Sequence, residues 1–325
     1  MSAANRSGAD NQPGVLVTGA SGFVGRYLLR RLQSEPVTVS TLQRPRHDLL
    51  QPASLAELCQ GVDTVYHLAA YAHVNQAQIK TLYATNVDGT INLLSAAVAA
   101  GVRRLVYVSS ILADPAFDQP RTAYGEAKQR AESLLQAAHQ AGDIEVVIVR
   151  PVNVYGVGMK GNLMTLLRLL RKGVMPPLPR FTQPFSLIGV EDLCQALVLA
   201  AQCSVGDNAP IYALTDGEHY DIKSLEQAMR TALGRSQPAW ATPKAVFYLG
   251  ALTLEIAGRL LPINNSPGLR SYHALARNYA VDDTASQRDL GYNPRSTFYC
   301  TLPAIISAME AGSAGADTSD TDNTQ

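Results

Sequence analysis

The segment that most restricts the fold is Thr18-Gly19-Ala20-Ser21-Gly22-Phe23-Val24-Gly25. It follows the short apolar run Val15–Val17 and opens a stretch of helical periodicity that reaches Leu32. Strand, glycine turn and helix in immediate succession leave the chain few options. Gly19 permits the tight turn, Gly22 lets backbone approach a pyrophosphate, and Gly25 allows close helix–strand packing. The helix N-terminus then offers N–H donors and the positive end of its dipole to phosphate. Short β-branched runs recur at Val37–Leu42, Asp63–Leu68, Arg104–Ser109 and Ile144–Val149, most of them separated by helical periodicity such as Thr90–Ala100. That alternation predicts an α/β fold, a doubly wound parallel sheet covered by helices on both faces.

Regularity breaks after about residue 156, and Pro176, Pro177 and Pro179 mark an irregular loop. The expected organisation is a nucleotide-binding domain over 13–160, to which part of 185–205 returns, and a smaller, mostly helical substrate lobe over 161–310. Residues 1–12 and 311–325 read as polar, disordered tails. Ala245–Leu254 is apolar, but it is too short to span a bilayer and is bracketed by Lys244, Glu255 and Arg259. It reads as a buried helix, with no integral membrane span. Twenty-seven basic and 27 acidic residues leave no excess charge to hold a nucleic-acid backbone. Cys59, Cys194, Cys203 and Cys300 lie far apart, so neither a disulfide framework nor a metal-ligand set is expected. With no apolar leader in the first dozen residues, the expected setting is the cytoplasm.

The spacing GxxGxxG, and the motifs that follow it in order, carry a family resemblance. These are Asp48-Leu49, Asp63–Ala70 (DTVYHLAA), Asn86–Thr90 (NVDGT), Tyr107–Ser110 (YVSS), Tyr124–Lys128 (YGEAK) and Arg150–Gly156 (RPVNVYG). Over roughly residues 14–310 the chain resembles the extended short-chain dehydrogenase/reductases, which include nucleotide-sugar epimerases and dehydratases. The resemblance implies that Gly19, Gly22, Phe23, Val24 and Gly25 hold a nicotinamide dinucleotide. It also implies that Asp48 and Leu49 lie against its adenine, and that Leu68, Ala69 and Ala70 pass beneath it. Asn86 would shape the central helix, and Pro151 and Val154 would line the nicotinamide. Members of this superfamily often pair through two helices of the nucleotide domain, which makes a homodimer an expectation here too. His67 and His73 read as ordinary satisfied histidines.

An acidic residue about twenty positions beyond the glycines normally binds the ribose hydroxyls of NAD. Here Gln43 takes that place beside Arg44, and no carboxylate occurs between Glu35 and Asp48. A guanidinium suits a 2′-phosphate, so NADP is expected in preference to NAD.

Tyr124 and Lys128 are four apart at the start of a predicted helix and share one face. The chemistry needs a phenol that exchanges a proton near neutral pH, and a neighbouring ammonium favours its phenolate. Ser110 aligns with the hydroxyl that holds the substrate oxygen, while Ser109 points to the other side of the strand. The resemblance, in which such a pair follows the serines of the fourth strand, implies that Ser110, Tyr124 and Lys128 are the catalytic residues, for hydride transfer between the nicotinamide and a carbon bearing oxygen.

Nucleotide-sugar epimerases usually carry an arginine where this chain has Phe185, in Phe185–Asp192. An aromatic there removes a partner for a diphosphate, although Arg180 lies five residues upstream. The C-terminal third resembles instead the 3β-hydroxysteroid dehydrogenase and dihydroflavonol reductase-like branch, through Pro243–Arg259 and Asp289-Leu290-Gly291-Tyr292-Asn293-Pro294. The expectation is an oxidoreductase interconverting a carbonyl and an alcohol on a small hydrophobic substrate, with Asn153, Arg180 and Phe185 toward that substrate. The alternatives are a UDP- or dTDP-sugar epimerase/dehydratase and a non-catalytic NADP-binding regulator.

Overall fold

The computed structural model describes residues 12–72, 78–117, 121–260 and 280–317. His73 lies outside them. Two compact units divide the chain. The first comprises residues up to Val152, Val190–Leu214 and Asp282–Asn293; the second comprises Asn153–Gly189, Thr215–Val281 and the segment from Pro294 onward.

The first unit contains β1 (Gly14–Thr18), α1 (Phe23–Leu32), β2 (Thr38–Thr41), α2 (Pro52–Leu58), β3 (Val62–His67), α3 (Ile79–Tyr83) and α4 (Gly89–Ala99). It continues with β4 (Arg104–Val108), α5 (Ala123–Gln140) and β5 (Glu145–Pro151). Its strands form one parallel sheet, completed by a last strand, Ile211–Leu214, in the order β2-β1-β3-β4-β5 and then that strand. The doubly wound expectation holds. The sheet is buried because its strands are apolar on both faces: Val146, Val147, Ile148 and Val149 are all fully covered. Leu16, Val65, Leu105 and Ile148 meet Leu93, Ala97, Ala131 and Leu135 in one core.

The chain leaves β1 toward β2 on one side and returns through β3 on the other. This reversal puts a crevice at the carboxyl ends of β1 and β3, where such sheets bind ligands.

The second unit holds a two-stranded parallel pair, β6 (Asn153–Tyr155) and β7 (Leu187–Gly189), with α6 (Asn162–Lys172) between them. After β7 the chain returns to the first unit as α7 (Val190–Gln202) and β8 (Ile211–Leu214). It then continues through α8 (Ile222–Ala232) and α9 (Lys244–Leu260), re-enters the first unit as α10 (Thr284–Leu290), and ends in α11 (Phe298–Asp317). Asp221 caps α8, accepting from the Ser224 N–H at 2.9 Å. Tyr155 and Tyr220 both donate to the Asp216 carboxylate, at 2.9 and 2.5 Å, and tie β6 to the segment before α8.

One expectation needs correction. The apolar stretch Ala245–Leu254 does form a helix, but the helix is not buried: Val246, Leu249 and Leu254 in α9 are each about half exposed, while Ala251 is covered. An apolar run does not by itself decide which positions of a helix are covered. Among the described residues no helix is long and apolar enough to cross a membrane.

Candidate active site

At the end of β1 the backbone turns at Gly19 with φ +70°, a left-handed conformation that glycine adopts without cost. A Cβ at Gly19 would sit 2.7 Å from the Ala69 nitrogen, so β1 and β3 end in direct backbone contact. At Gly25 a Cβ would lie 2.2 Å from the Gly19 carbonyl oxygen and 2.8 Å from Ala20. Helix α1 therefore rests on the turn itself. Its N-cap, Gly22, is exposed and supplies no side-chain cap, and the first turn carries no acidic residue. The leading N–H groups are thus free of an internal anion, and this cradle fits a dinucleotide pyrophosphate.

Beneath the turn runs a buried polar chain. Thr18 Oγ1 lies 2.7 Å from His67 Nδ1, and His67 Nε2 lies 2.9 Å from Thr90 Oγ1. Thr90 donates onward to the Asn86 carbonyl at 2.7 Å, and the Ala69 N–H donates to Thr18 Oγ1 at 3.2 Å. With Thr90's proton used in that way, His67 donates from Nε2 and accepts at Nδ1. Burial, helped by the Lys128 charge, pushes this imidazole down to about 3. Since the unfolded histidine titrates near pH ~6.5, the unfolded state takes up the proton first as the solution is acidified. The contribution is complete above that pH and is lost as the pH falls toward 3. Between pH 7.5 and 5, stability should drop by about 2 kcal/mol on account of this group. Urea unfolding of the parent and of His67→Gln at the two pH values checks this: the variant should be weaker but should lose less on acidification.

Asn86 lies in a π-helical turn, Ala84–Asp88, between α3 and α4. Its side chain both accepts from the Tyr71 N–H at 2.7 Å and donates to the Tyr71 carbonyl at 3.1 Å, which fastens the loop after β3. No residue pattern signalled this turn.

After β4 the chain makes a short 3₁₀ turn, Ile111–Ala113, with Ser110 as its N-cap; Ser110 Oγ accepts from the Leu112 N–H at 3.3 Å. Gly125 lies in the first turn of α5, and a Cβ on it would meet the Leu112 carbonyl oxygen at 2.3 Å. Backbone-to-backbone packing thus sets the Ser110 turn against the start of the helix that carries Tyr124 and Lys128. Thr122 caps that helix, accepting from the Gly125 N–H at 3.0 Å. Tyr124 keeps part of its surface exposed, and its crowded surroundings raise the phenol to about 12. Lys128 is 1% exposed and donates to the Val108 carbonyl at 2.7 Å, with its ammonium 4.4 Å from the centre of the Tyr107 ring. Burial lowers it to about 7, against the pull of Glu132.

Ser109 faces the opposite way from Ser110 and donates to Glu132 Oε1 at 2.5 Å. Glu132 is held by Arg150, at 3.0 Å to Oε1 and 2.7 Å to Oε2, and Arg150 also reaches Asp114 at 2.9 Å. Sequence reasoning missed this set, whose members come from α5, β5 and the loop after β4.

The adenine-end residues are looser. Gln43 and Arg44 are exposed, and Arg44 is 3.9 Å from the Asp48 carboxylate. Asp48 also accepts from the Leu50 N–H at 3.0 Å. Leu49 is 2% exposed, packed beneath Gly89, and its carbonyl accepts from Asn92 at 2.8 Å. Leu68 and Ala69 are half-buried and Ala70 is exposed at the end of β3; Pro151 is buried at the end of β5. Among residues of the second unit, Asn153 and Arg180 are exposed and Val154 pairs with Ile188. Phe185 pairs with Tyr220 and stacks on its ring at 5.9 Å. Tyr220 also touches Tyr299 at 5.3 Å and Phe298 at 6.4 Å. No cluster of metal-ligating side chains occurs among the described residues.

Residues 15–215 match the NAD dependent epimerase/dehydratase family over more than half of the chain. The chain belongs to that family. Like other members of the epimerase/dehydratase family, it is a nicotinamide-dependent enzyme with a Rossmann-type fold. A relative 30% identical, covering 90% of this chain and 96% of its own length, is a UDP-glucose 4-epimerase of Vibrio cholerae. Another, 27% identical over 91% and 96% respectively, is the 4-hydroxy-2-methyl-3-oxo-4-farnesyl-3,4-dihydroquinoline-1-oxide ketoreductase of Stigmatella aurantiaca. The solved structure of MoeE5 in complex with UDP-glucose and NAD superposes with a TM-score of 0.72 at 25% identity, over 92% of this chain and 99% of that one. The family thus contains both oxidoreductases and nucleotide-sugar epimerases at similar distances from this chain.

Proposed function

We propose that this enzyme interconverts a carbonyl and an alcohol on a small hydrophobic substrate, with NADP(H) as the preferred cofactor. The observation that carries the substrate class is Phe185: where nucleotide-sugar epimerases usually carry arginine, this side chain stacks on Tyr220 within an aromatic group that includes Phe298 and Tyr299. An aromatic wall cannot pair a diphosphate, and burying that charge unpaired costs several kcal/mol. An uncharged ketone gains about 25 cal/mol for each Å² of apolar surface buried.

When bound, the nicotinamide supplies or accepts the hydride. The chain's own residues do the rest. The Gly19–Gly25 cradle would hold the pyrophosphate and Arg44 the 2′-phosphate. Ser110 would hold the substrate oxygen, Tyr124 would exchange the proton with it, and Lys128 would bind the nicotinamide ribose and bias the phenol toward ionisation.

The second reading, a nucleotide-sugar epimerase, is favoured by the Vibrio cholerae relative and by Arg180, an exposed cation upstream of Phe185. A panel of apolar and aromatic ketones read by NADPH absorbance, run beside UDP- and dTDP-sugars, separates the two. The expected result is turnover of ketones, weak UDP binding, and stronger UDP binding with weaker ketone turnover in Phe185→Arg. Tight UDP-sugar binding with C4 inversion seen by NMR overturns the proposal.

The cofactor preference has its own check. NADPH should bind more tightly than NADH by calorimetry, and Arg44→Ala should narrow the gap by about 1–3 kcal/mol, the scale of a charged hydrogen bond. Equal affinities in the parent would remove Arg44 from the 2′-phosphate.

A further inference from the structure

Lys128 is a buried ammonium whose partners among the described residues are the Val108 carbonyl and the face of Tyr107, with no carboxylate in an ion pair with it among them. A cation so placed loses its proton readily unless a negative charge stands nearby. The candidates can be enumerated from the elements packed around it. β3 contributes His67, which is neutral and engaged by two threonines, and β4 contributes the Tyr107 ring. α5 contributes Tyr124 and, one turn beyond Lys128 on the same face, Glu132. β5 contributes Arg150 and the loop after β4 contributes Asp114.

We propose that Glu132 is a positioning residue whose buried carboxylate, clamped by Arg150 and Ser109, holds the proton on Lys128 to a higher pH than burial alone would allow. Glu132 is 2% exposed, and all of its described hydrogen-bond partners are donors. Arg150 would cancel its charge, but Arg150 is shared with Asp114. Two carboxylates therefore face one guanidinium, which leaves one negative charge uncompensated in the cluster. The Lys128 ammonium completes neutrality. The same clamp joins α5, β5 and the loop that carries Ser110, so the charge is held by elements that already frame the site. Burial and Glu132 act on Lys128 in opposite directions, as this account requires.

The consequence for turnover rests on the catalytic reading of Lys128, but the charge itself is measurable without cofactor or substrate. The chain has six lysines, few enough for a lysine-labelled NMR titration of the whole protein, with Lys128→Met identifying the signal. Glu132→Gln keeps the shape and removes the charge, and the Lys128 midpoint should move to lower pH by about one unit, the scale of a carboxylate one helical turn away. Glu132→Asp, which keeps the charge, should move it less. Asp114→Asn, on a more exposed partner, should shift it in the same downward direction and carries the test if Glu132→Gln does not fold. An unshifted midpoint in a folded Glu132→Gln, or equal shifts in Glu132→Gln and Glu132→Asp, overturns the proposal in favour of a packing role. If the midpoint moves while the pH profile of ketone turnover stays fixed, the charge assignment stands and the catalytic reading of Lys128 falls.

Discussion

Replacing Tyr124 with phenylalanine is expected to lower turnover by about 10²–10⁴-fold, the range of general acid–base catalysis, with little change in NADP(H) affinity. The substitution keeps the ring that fills the start of α5 and removes only the hydroxyl. Burial raises this phenol to about 12, so it is protonated throughout the neutral range. Carbonyl reduction needs the protonated form, so Tyr124 itself imposes no decline until strongly alkaline conditions, and a fall in ketone turnover near neutral pH reports Lys128 instead. Alcohol oxidation needs the phenolate and should accelerate as pH rises. Steady-state rates in both directions, with cofactor affinity by fluorescence, check the claim. Retention of most turnover in Tyr124→Phe would move the proton to another group.

Gly25→Ala should have the second large effect, for a reason unrelated to proton transfer. The new methyl would stand 2.2 Å from the Gly19 oxygen and 2.8 Å from Ala20, all of it backbone. No side-chain rotation relieves such a contact, so α1 and the glycine turn must separate. Overpacking of this kind costs about 1–3 kcal/mol of stability. Here it also distorts the N–H groups aimed at phosphate, so NADPH affinity should fall at least about tenfold, or 1.4 kcal/mol. Gly206→Ala is the control, since a Cβ there meets nothing within 4 Å. Calorimetry and thermal melting report both quantities, and undiminished NADPH affinity in Gly25→Ala would remove the turn from the cofactor site.

The sheet and its first glycine turn were legible because their signals are local: β-branched runs, glycine spacing and helical periodicity within a dozen residues. The bond between Ser109 and Glu132, by contrast, spans 23 positions, and the ion pair of Arg150 with Asp114 spans 36. Neither leaves a short-range pattern, because the partners meet only after β4, α5 and β5 have assembled. The π-helical turn at Asn86 escaped for a related reason: one extra residue per turn does not alter the apolar spacing enough to be read. The outward face of α9 shows the limit of hydropathy. Val246 and Leu249 look like core residues in sequence, and only tertiary packing decides which side of an apolar helix is covered.

The interrupted path of the chain also has a bearing on how this enzyme is made. When synthesis has just passed Val152, five of the six strands of the first unit's sheet exist, and β8 follows nearly sixty residues later. Until then β5 is the sheet edge, with the apolar Val146–Val149 and its unpaired backbone groups open to any other strand in reach. Arg104 likewise waits for the α7 carbonyls of Ala200 and Ala201 that it later binds at 3.3 and 2.7 Å. A nascent chain is therefore most prone to mispairing in the interval between β5 and β8, and excising residues 12–152 as a free-standing nucleotide-binding module would make that transient edge permanent.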